Sequence, residues 1–439
     1  VSPDTSIAHR DRLAPRALTL MYVAFAYLCL GLAFLTLALV PQTIGGFFYH
    51  PKMLAVVHLV TLGWITSSIL GYFHLVGPVA LRSVMRPGWA DYVAFALVVI
   101  GVTGMVTHFW INGYSGMLWS AGTLLLGLAI VAVRGVRVVV AAKVQPGVKL
   151  HISLAFFNVL GAGVLGMLLG LEKQLIHVLP GYMLHSVYAH AHLAALGWAT
   201  MMVMGVGYRL FPMVLPASMP SNGRTWASAV LIEAGLLVLL VGLPASSRVA
   251  IRGGTLLVLA GLAAFFVQVV WMKRHPKPPP KDLMRPDLGT LHAIQGLFYL
   301  LVAAVLGAAL AFAPAGAWKI RAATAYGVFA LIGFLAQMVI GISARILPMF
   351  SWMHYYVGAD FKAIPPSQYT MHSRGLQSSG FLLWTLGVPL LAWGLSFDRW
   401  RMVSTAAVLL FVALVCNGIN TVRVARHAFF HPREREGAR

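Results

Sequence analysis

Two histidines, His58 and His192, stand at the heads of closely similar apolar stretches. HLVTLGWITSSILGYFHLVGP begins at His58 and HLAALGWATMMVMGVGYRLFP begins at His192, and each runs on to a proline, Pro78 or Pro212. An ionisable side chain inside an apolar run of membrane length is costly, so it marks a candidate functional site. Imidazole is a ligand for haem iron, copper and zinc. Two further histidines, His190 and His185, precede His192 on the same stretch. Helical spacing puts His185, Tyr188 and His192 on one face and turns His190 away from it. At 1.5 Å per residue, His58 lies roughly 9 Å and His192 roughly 13 Å below the surface where their spans begin, so two imidazoles at similar depth could clamp a haem or share a metal. Each could instead bond a neighbouring carbonyl and tie helices together.

The elements that position them are read from composition and repetition. Of the residues, 59% are hydrophobic and 10% charged, with mean hydropathy +0.83; soluble domains carry about 25% charged residues. Many apolar runs reach the roughly 20 residues that cross a bilayer. The pattern predicts an all-α polytopic membrane protein of about twelve spans in a single membrane domain, residues 1–439. Val328–Pro348, VFALIGFLAQMVIGISARILP, is a third copy of the stretch, without a histidine. Gly63/Gly197/Gly333, Trp64/Trp198/Phe334 and Gly71/Gly205/Gly341 match across the copies. His151–Gly166 matches His292–Gly307 and, more weakly, Arg16–Gly31. Three four-helix repeats follow, at about 16–140, 149–272 and 289–426, with the Pro- and charge-rich segment 273–288 as a linker. The polar, basic residues 1–17 precede a run of full membrane length, which reads as an anchor and not a cleaved signal.

The formal charge of +21 does not indicate nucleic acid, because the charges sit in short loops. They indicate topology and contact with anionic membrane lipids. Lys and Arg number 24 on the N-terminal side and eight on the other, which places both termini in the cytoplasm. His151 and His292 then begin spans at the cytoplasmic face, too far from His58 to share its metal. Glu172 and Glu233 are the acidic residues read as lying in or beside spans, Arg209 and Arg345 as snorkelling to the interface, and Trp64 and Trp198 as packing. The loop Arg345–Arg374 is long for a helix connection. The two cysteines form no CxxCH or metal-ligand pattern. No P-loop, dinucleotide fingerprint, Ser/His/Asp set or HExxH occurs.

Twelve spans, three repeats, HLVTLGW at His58 and HAHLAALGW at His192 resemble the haem–copper oxidase subunit I superfamily, most closely its divergent cbb-type and NnrS-like members. The resemblance implies that His58 ligates a haem b and that His192 stands where a copper ligand stands. It implies a place in the bacterial inner membrane, in respiratory electron transfer or in binding nitric oxide or oxygen, beside other respiratory subunits. The span-seven and span-ten histidines of the family are absent here, so an oxygen- or nitric oxide-reducing oxidoreductase site would be incomplete. Two other readings stay open: a cofactor-free docking subunit, and a small-molecule or metal transporter built on internal repeats.

Overall fold

The structure is a computed structural model that describes residues 16–83, 87–174, 176–214, 216–358 and 366–429. Twelve of its helices are long and apolar enough to cross a membrane: α1 (Arg16–Leu39), α2 (Pro51–Gly77), α3 (Trp89–Ile111), α4 (Met117–Ala141), α5 (Pro146–Glu172), α6 (Met183–Met213), α7 (Asn222–Gly242), α8 (Arg248–Arg274), α9 (Leu288–Phe312), α10 (Trp318–Val357), α11 (Arg374–Ser396) and α12 (Trp400–Ala428). The chain is therefore a multi-pass membrane protein. Helices are expected here because lipid offers no partner for backbone N–H and C=O groups, and a helix pairs its own. Odd-numbered helices begin at the face where α1 begins, called the near face below; even-numbered helices begin at the far face.

Three helices form the centre. In α2, α6 and α10, 61–67% of the apolar window is buried, against 33–50% in the other nine. These are the three copies found by sequence. Glycine explains how tightly they sit against their predecessors. A Cβ at Gly71 would come within 2.7 Å of Tyr22, at Gly205 within 2.7 Å of His151, and at Gly341 within 2.9 Å of the Ala293 backbone. One level further along, Gly63 abuts Cys29, Gly197 abuts Asn158 and Gly333 abuts Tyr299. Small residues permit such backbone approach in lipid, where dispersion replaces the hydrophobic effect as the glue between helices. These contacts align Tyr22, not Arg16, with His151, so the weak match at the first repeat is displaced by six residues.

The same three helices share a feature that hydropathy does not reveal. Each widens into a π-helical segment at a matched place, Leu59–Thr66, Leu193–Thr200 and Phe329–Ala336. π-Helical turns are rare and cluster at functional sites. Side chains support the widened turns. Ser67 Oγ donates to the Leu62 carbonyl and Thr200 Oγ1 to the Ala195 carbonyl, both at 2.9 Å and both five residues back.

The three segments lock to one another through their aromatic residues. The Trp198 indole N–H donates to Thr66 Oγ1 (3.0 Å), and the Trp64 indole N–H to the Ala336 carbonyl (3.3 Å). Both bonds run from one copy to the same matched position of another. Trp64 and Trp198 are thus cross-links and not simple packing. The third copy has Phe334, which packs without an N–H. Thr66→Val keeps the shape and deletes the acceptor of the Trp198 bond, at an expected cost of about 1 kcal/mol of stability, measured as a lower unfolding midpoint in detergent. Trp198→Phe should cost more, because it also removes half of a buried bicyclic ring and leaves a void.

The near face carries ion pairs at the helix ends. Asp91, 1% exposed, accepts from Arg134 at 2.7 Å and from the Gly88 N–H. It joins Glu172 and Glu233 among the acidic residues at spans, a position the sequence reading missed. Arg345 does not snorkel: it pairs with Asp287 at the start of α9 and lies over the Tyr369 ring. Arg209 donates to the Ala80 carbonyl at 3.0 Å, tying α6 to the end of the second helix. α10 runs through Pro348 to Val357, so much of the expected Arg345–Arg374 loop is helix. This extension brings His354 to the Arg16 side chain at 2.9 Å. The rest of that loop includes 359–365, outside the described residues.

His372, in the segment before α11, is held down at about 4 from the ordinary 6.5 by burial and by the Arg345 guanidinium, with Asp287 opposing. A histidine with a lowered folded value binds fewer protons folded than unfolded between those two values. Stability therefore falls as pH drops from about 6.5 to about 4 and is unaffected by this group above that window. The expected result is a falling unfolding midpoint across that range, flattened in His372→Phe.

Candidate functional site

The sequence-selected histidines gather at the far end of α2 and α6. His58 is the last α-helical residue before the first π segment, and His192 the last before the second. The equivalent residue in α10 is Val328.

His58 Nδ1 lies 2.7 Å from the Leu54 carbonyl, His192 Nδ1 2.8 Å from the Tyr188 carbonyl, and His190 Nδ1 3.0 Å from the Ala162 carbonyl on α5. A carbonyl can only accept, so Nδ1 carries the proton in all three neutral rings and Nε2 keeps its lone pair. This is the arrangement found in metal-bound histidine, where the second ring nitrogen donates to a fixed partner that sets tautomer and orientation. In a simple helix tie the Nε2 lone pair would have no such purpose.

Neighbours fix the rings. His58 stacks on Phe109 of α3, centroids 4.8 Å apart. His190 fits beside Gly166, where a Cβ would come within 2.9 Å of its Cε1. His192 stacks loosely on Tyr326 of α10, and the Tyr326 hydroxyl approaches its Nε2 at 3.5 Å. His58 and His190 lie close enough to interact electrostatically. The structure thus turns His190 towards α5 and the neighbourhood of His58, and His192 towards α10. This agrees with the opposed faces expected from their two-residue spacing.

His185 does not join them. It sits two turns back, roughly 10 Å along the helix from His192. Its Nδ1 is bonded to Ser246 Oγ of the α7–α8 connection at 2.8 Å. Glu172 is a structural cap, accepting from the Val178 and Leu179 N–H groups at 2.6 Å each. Glu233 accepts from Asn158 at 2.8 Å, tying α7 to α5.

The end of the bundle above these histidines is basic and aromatic. Lys52 Nζ stands 5.3 Å from the Trp110 ring centre, and Lys173 Nζ 4.3 Å from Tyr49 and 5.5 Å from Tyr114. Burial lowers the pKa of Lys173 and raises those of Tyr49 and Tyr114. Phe109, Tyr326 and the aromatic cover were not singled out from sequence. The local hint was position: Phe109 ends span three, Tyr326 lies in the first turns of span ten, and Tyr49 and Tyr114 sit in the connections beside them.

The donor set discriminates between metals. Among the described residues, no three or more His, Cys, Asp or Glu side chains come together as an ion site. A copper centre of three nitrogen ligands is not formed by them. A haem needs one or two axial imidazoles, and the described residues present three with their Nε2 atoms open or nearly so.

Neither a protein-family model nor a curated protein matches the sequence. A solved structure does match the fold. The cryo-EM structure of a heme-copper terminal oxidase dimer is similar with a TM-score of 0.56 at 9% sequence identity, over 96% of this chain and 85% of that one. At that identity the likeness concerns the path of the chain: an all-helical, twelve-helix membrane fold similar to a haem–copper oxidase subunit.

Proposed function

We propose that this chain is a haem-binding membrane protein that uses a haem–copper oxidase-like bundle to hold a haem b at its far end. His58 of α2 and an imidazole of α6 would hold it. His190 is favoured for that second position because its Nε2 has no partner among the described residues, whereas the Nε2 of His192 meets the Tyr326 hydroxyl. His192, backed by Tyr326, is the alternative. The observation that carries the reading is the set of three imidazoles, each with Nδ1 pinned to a carbonyl, with Nε2 left to bind in His58 and His190 and meeting the Tyr326 hydroxyl at 3.5 Å in His192.

A haem bound there would supply one-electron redox chemistry or a site for a diatomic gas. The protein's own part is to orient the imidazoles, to shield them with Phe109 and Tyr326, and to place the cations Lys52 and Lys173 at the end where carboxylates of a cofactor would meet water. Copper, the second metal of the resemblance, is disfavoured by the missing third donor. The excess of basic residues on the near-face side supports a bacterial inner-membrane protein with both termini in the cytoplasm, working beside other respiratory subunits.

Haem and copper are to be quantified per chain in protein purified alone. The expected result is about one haem b and no stoichiometric copper. Protein free of both would overturn the proposal in favour of a cofactor-free docking subunit.

A further inference from the structure

At the far face, positive charge gathers where the chain enters α8, α10 and α12. Arg248 and Arg252, Lys319 and Arg321, and Arg399 and Arg401 come in pairs, one pair per helix start. The arginines are exposed and Lys319 is half-buried. One carboxylate, Asp398, stands beside them in sequence. Neither it nor any of the six cations forms an ion pair among the described residues. None of the three helices has an acidic residue in its first turn, although a helix start carries partial positive charge of its own and disfavours cations. The charge is therefore uncompensated within the chain.

Three of the cations are held in place. Arg252 lies over the Phe312 ring at 5.8 Å, and Lys319 Nζ donates to the Leu310 carbonyl at 2.8 Å, so both meet the last turn of α9. Arg321 lies over the Phe397 ring at 5.2 Å, in the α11–α12 connection that also carries Arg399. A ring face holds a guanidinium by its plane and leaves its N–H edge free for the paired oxygens of a carboxylate or phosphate.

Depth decides which oxyanion that is. In α8, residues 253–272, between Arg252 and Lys273, carry no charged side chain; nor do 322–344, between Arg321 and Arg345 in α10, or 402–422, between Arg401 and Arg423 in α12. At 1.5 Å per residue these runs measure about 30–35 Å, which matches a hydrocarbon core of about 30 Å. The far-side arginines thus stand at the level of the lipid phosphates, below the water in which a soluble partner would dock. In α8 and α12 only 33% of the apolar window is buried, so both helices border lipid. We propose that this ribbon is a specific site for the headgroup of an anionic phospholipid in the far-face leaflet, with Arg252, Lys319 and Arg321 as its chief contacts. It goes beyond the general attraction of basic loops to anionic membranes, and it is independent of the haem reading.

The test titrates the delipidated full chain, in dodecyl maltoside, with phosphatidylglycerol or with phosphatidylcholine and counts bound lipid per chain by native mass spectrometry. Wild type is expected to bind phosphatidylglycerol roughly tenfold more tightly than phosphatidylcholine, the gain expected for one hydrogen bond between charged groups. Arg252→Gln/Arg321→Gln should abolish that preference. Lys273→Gln/Arg274→Gln removes the same charge from exposed residues at the near-face end of α8 and should keep it. No preference in wild type would overturn the proposal, as would equal loss in the two double variants, which would reduce the effect to net charge. Displacement of phosphatidylglycerol by an equal concentration of polyglutamate or inorganic phosphate would also overturn it, in favour of an acidic protein partner or a free-anion site.

Discussion

His58→Ala is expected to strip the protein of its haem. Fixed partners one shell out from a metal ligand are worth ~10–100-fold in affinity, so loss of the ligand itself should reduce bound haem at least tenfold. The measurement is the Soret absorbance per chain of variants purified in parallel. The α6 histidines separate two versions of the site. If His190 is the second ligand, His190→Phe should convert the spectrum to a five-coordinate form while His192→Phe leaves it nearly unchanged. The reverse pattern would move the role to His192. His185→Phe is expected to bind haem normally, because His185 is held by Ser246 at the surface end. Folding of His58→Ala is expected to survive, since the residue is half-buried, its hydrogen bond runs to Leu54 of its own helix, and its contact with α3 is one ring stack on Phe109.

The second large effect concerns the scaffold. Gly63→Val should destabilise the protein by about 2–3 kcal/mol. A Cβ at residue 63 would collide with Cys29 on α1, which is buried and cannot yield. Because Gly63 lies in the π segment that His58 opens, the variant should also lose haem. Gly122→Val is the control. No atom lies within 4 Å of a Cβ at Gly122, so its stability should change by less than about 0.5 kcal/mol. Unfolding midpoints in detergent, followed by scanning fluorimetry, compare the two.

Particular residues show how far the sequence could be read. The spans were legible because lipid imposes long apolar runs, and the copies were legible because glycine is required wherever α2, α6 and α10 meet their neighbours. The depth of His58 and His192, and the opposed faces of His190 and His192, followed from helical rise and rotation alone. The π segments did not, because Leu, Gly and Trp at those positions suit an ordinary helix equally well. Their widening depends on contacts between copies, such as Trp198 with Thr66. Asp91 was passed over because its partner, Arg134, is 43 residues away. Arg345 was misread for the same reason, since Asp287 comes from the segment taken as linker. The relation of His190 to His58 joins two spans, and only tertiary structure reveals it.

The central claim is that imidazoles of α2 and α6 hold a haem at the far end of the bundle. Its most direct test is the dithionite-reduced minus oxidised spectrum of the full chain beside a variant in which His58, His190 and His192 are all phenylalanine. The account predicts a sharp six-coordinate haem b difference spectrum in the first and none in the second. A wild-type chain without haem, or an identical haem spectrum in both proteins, would contradict it.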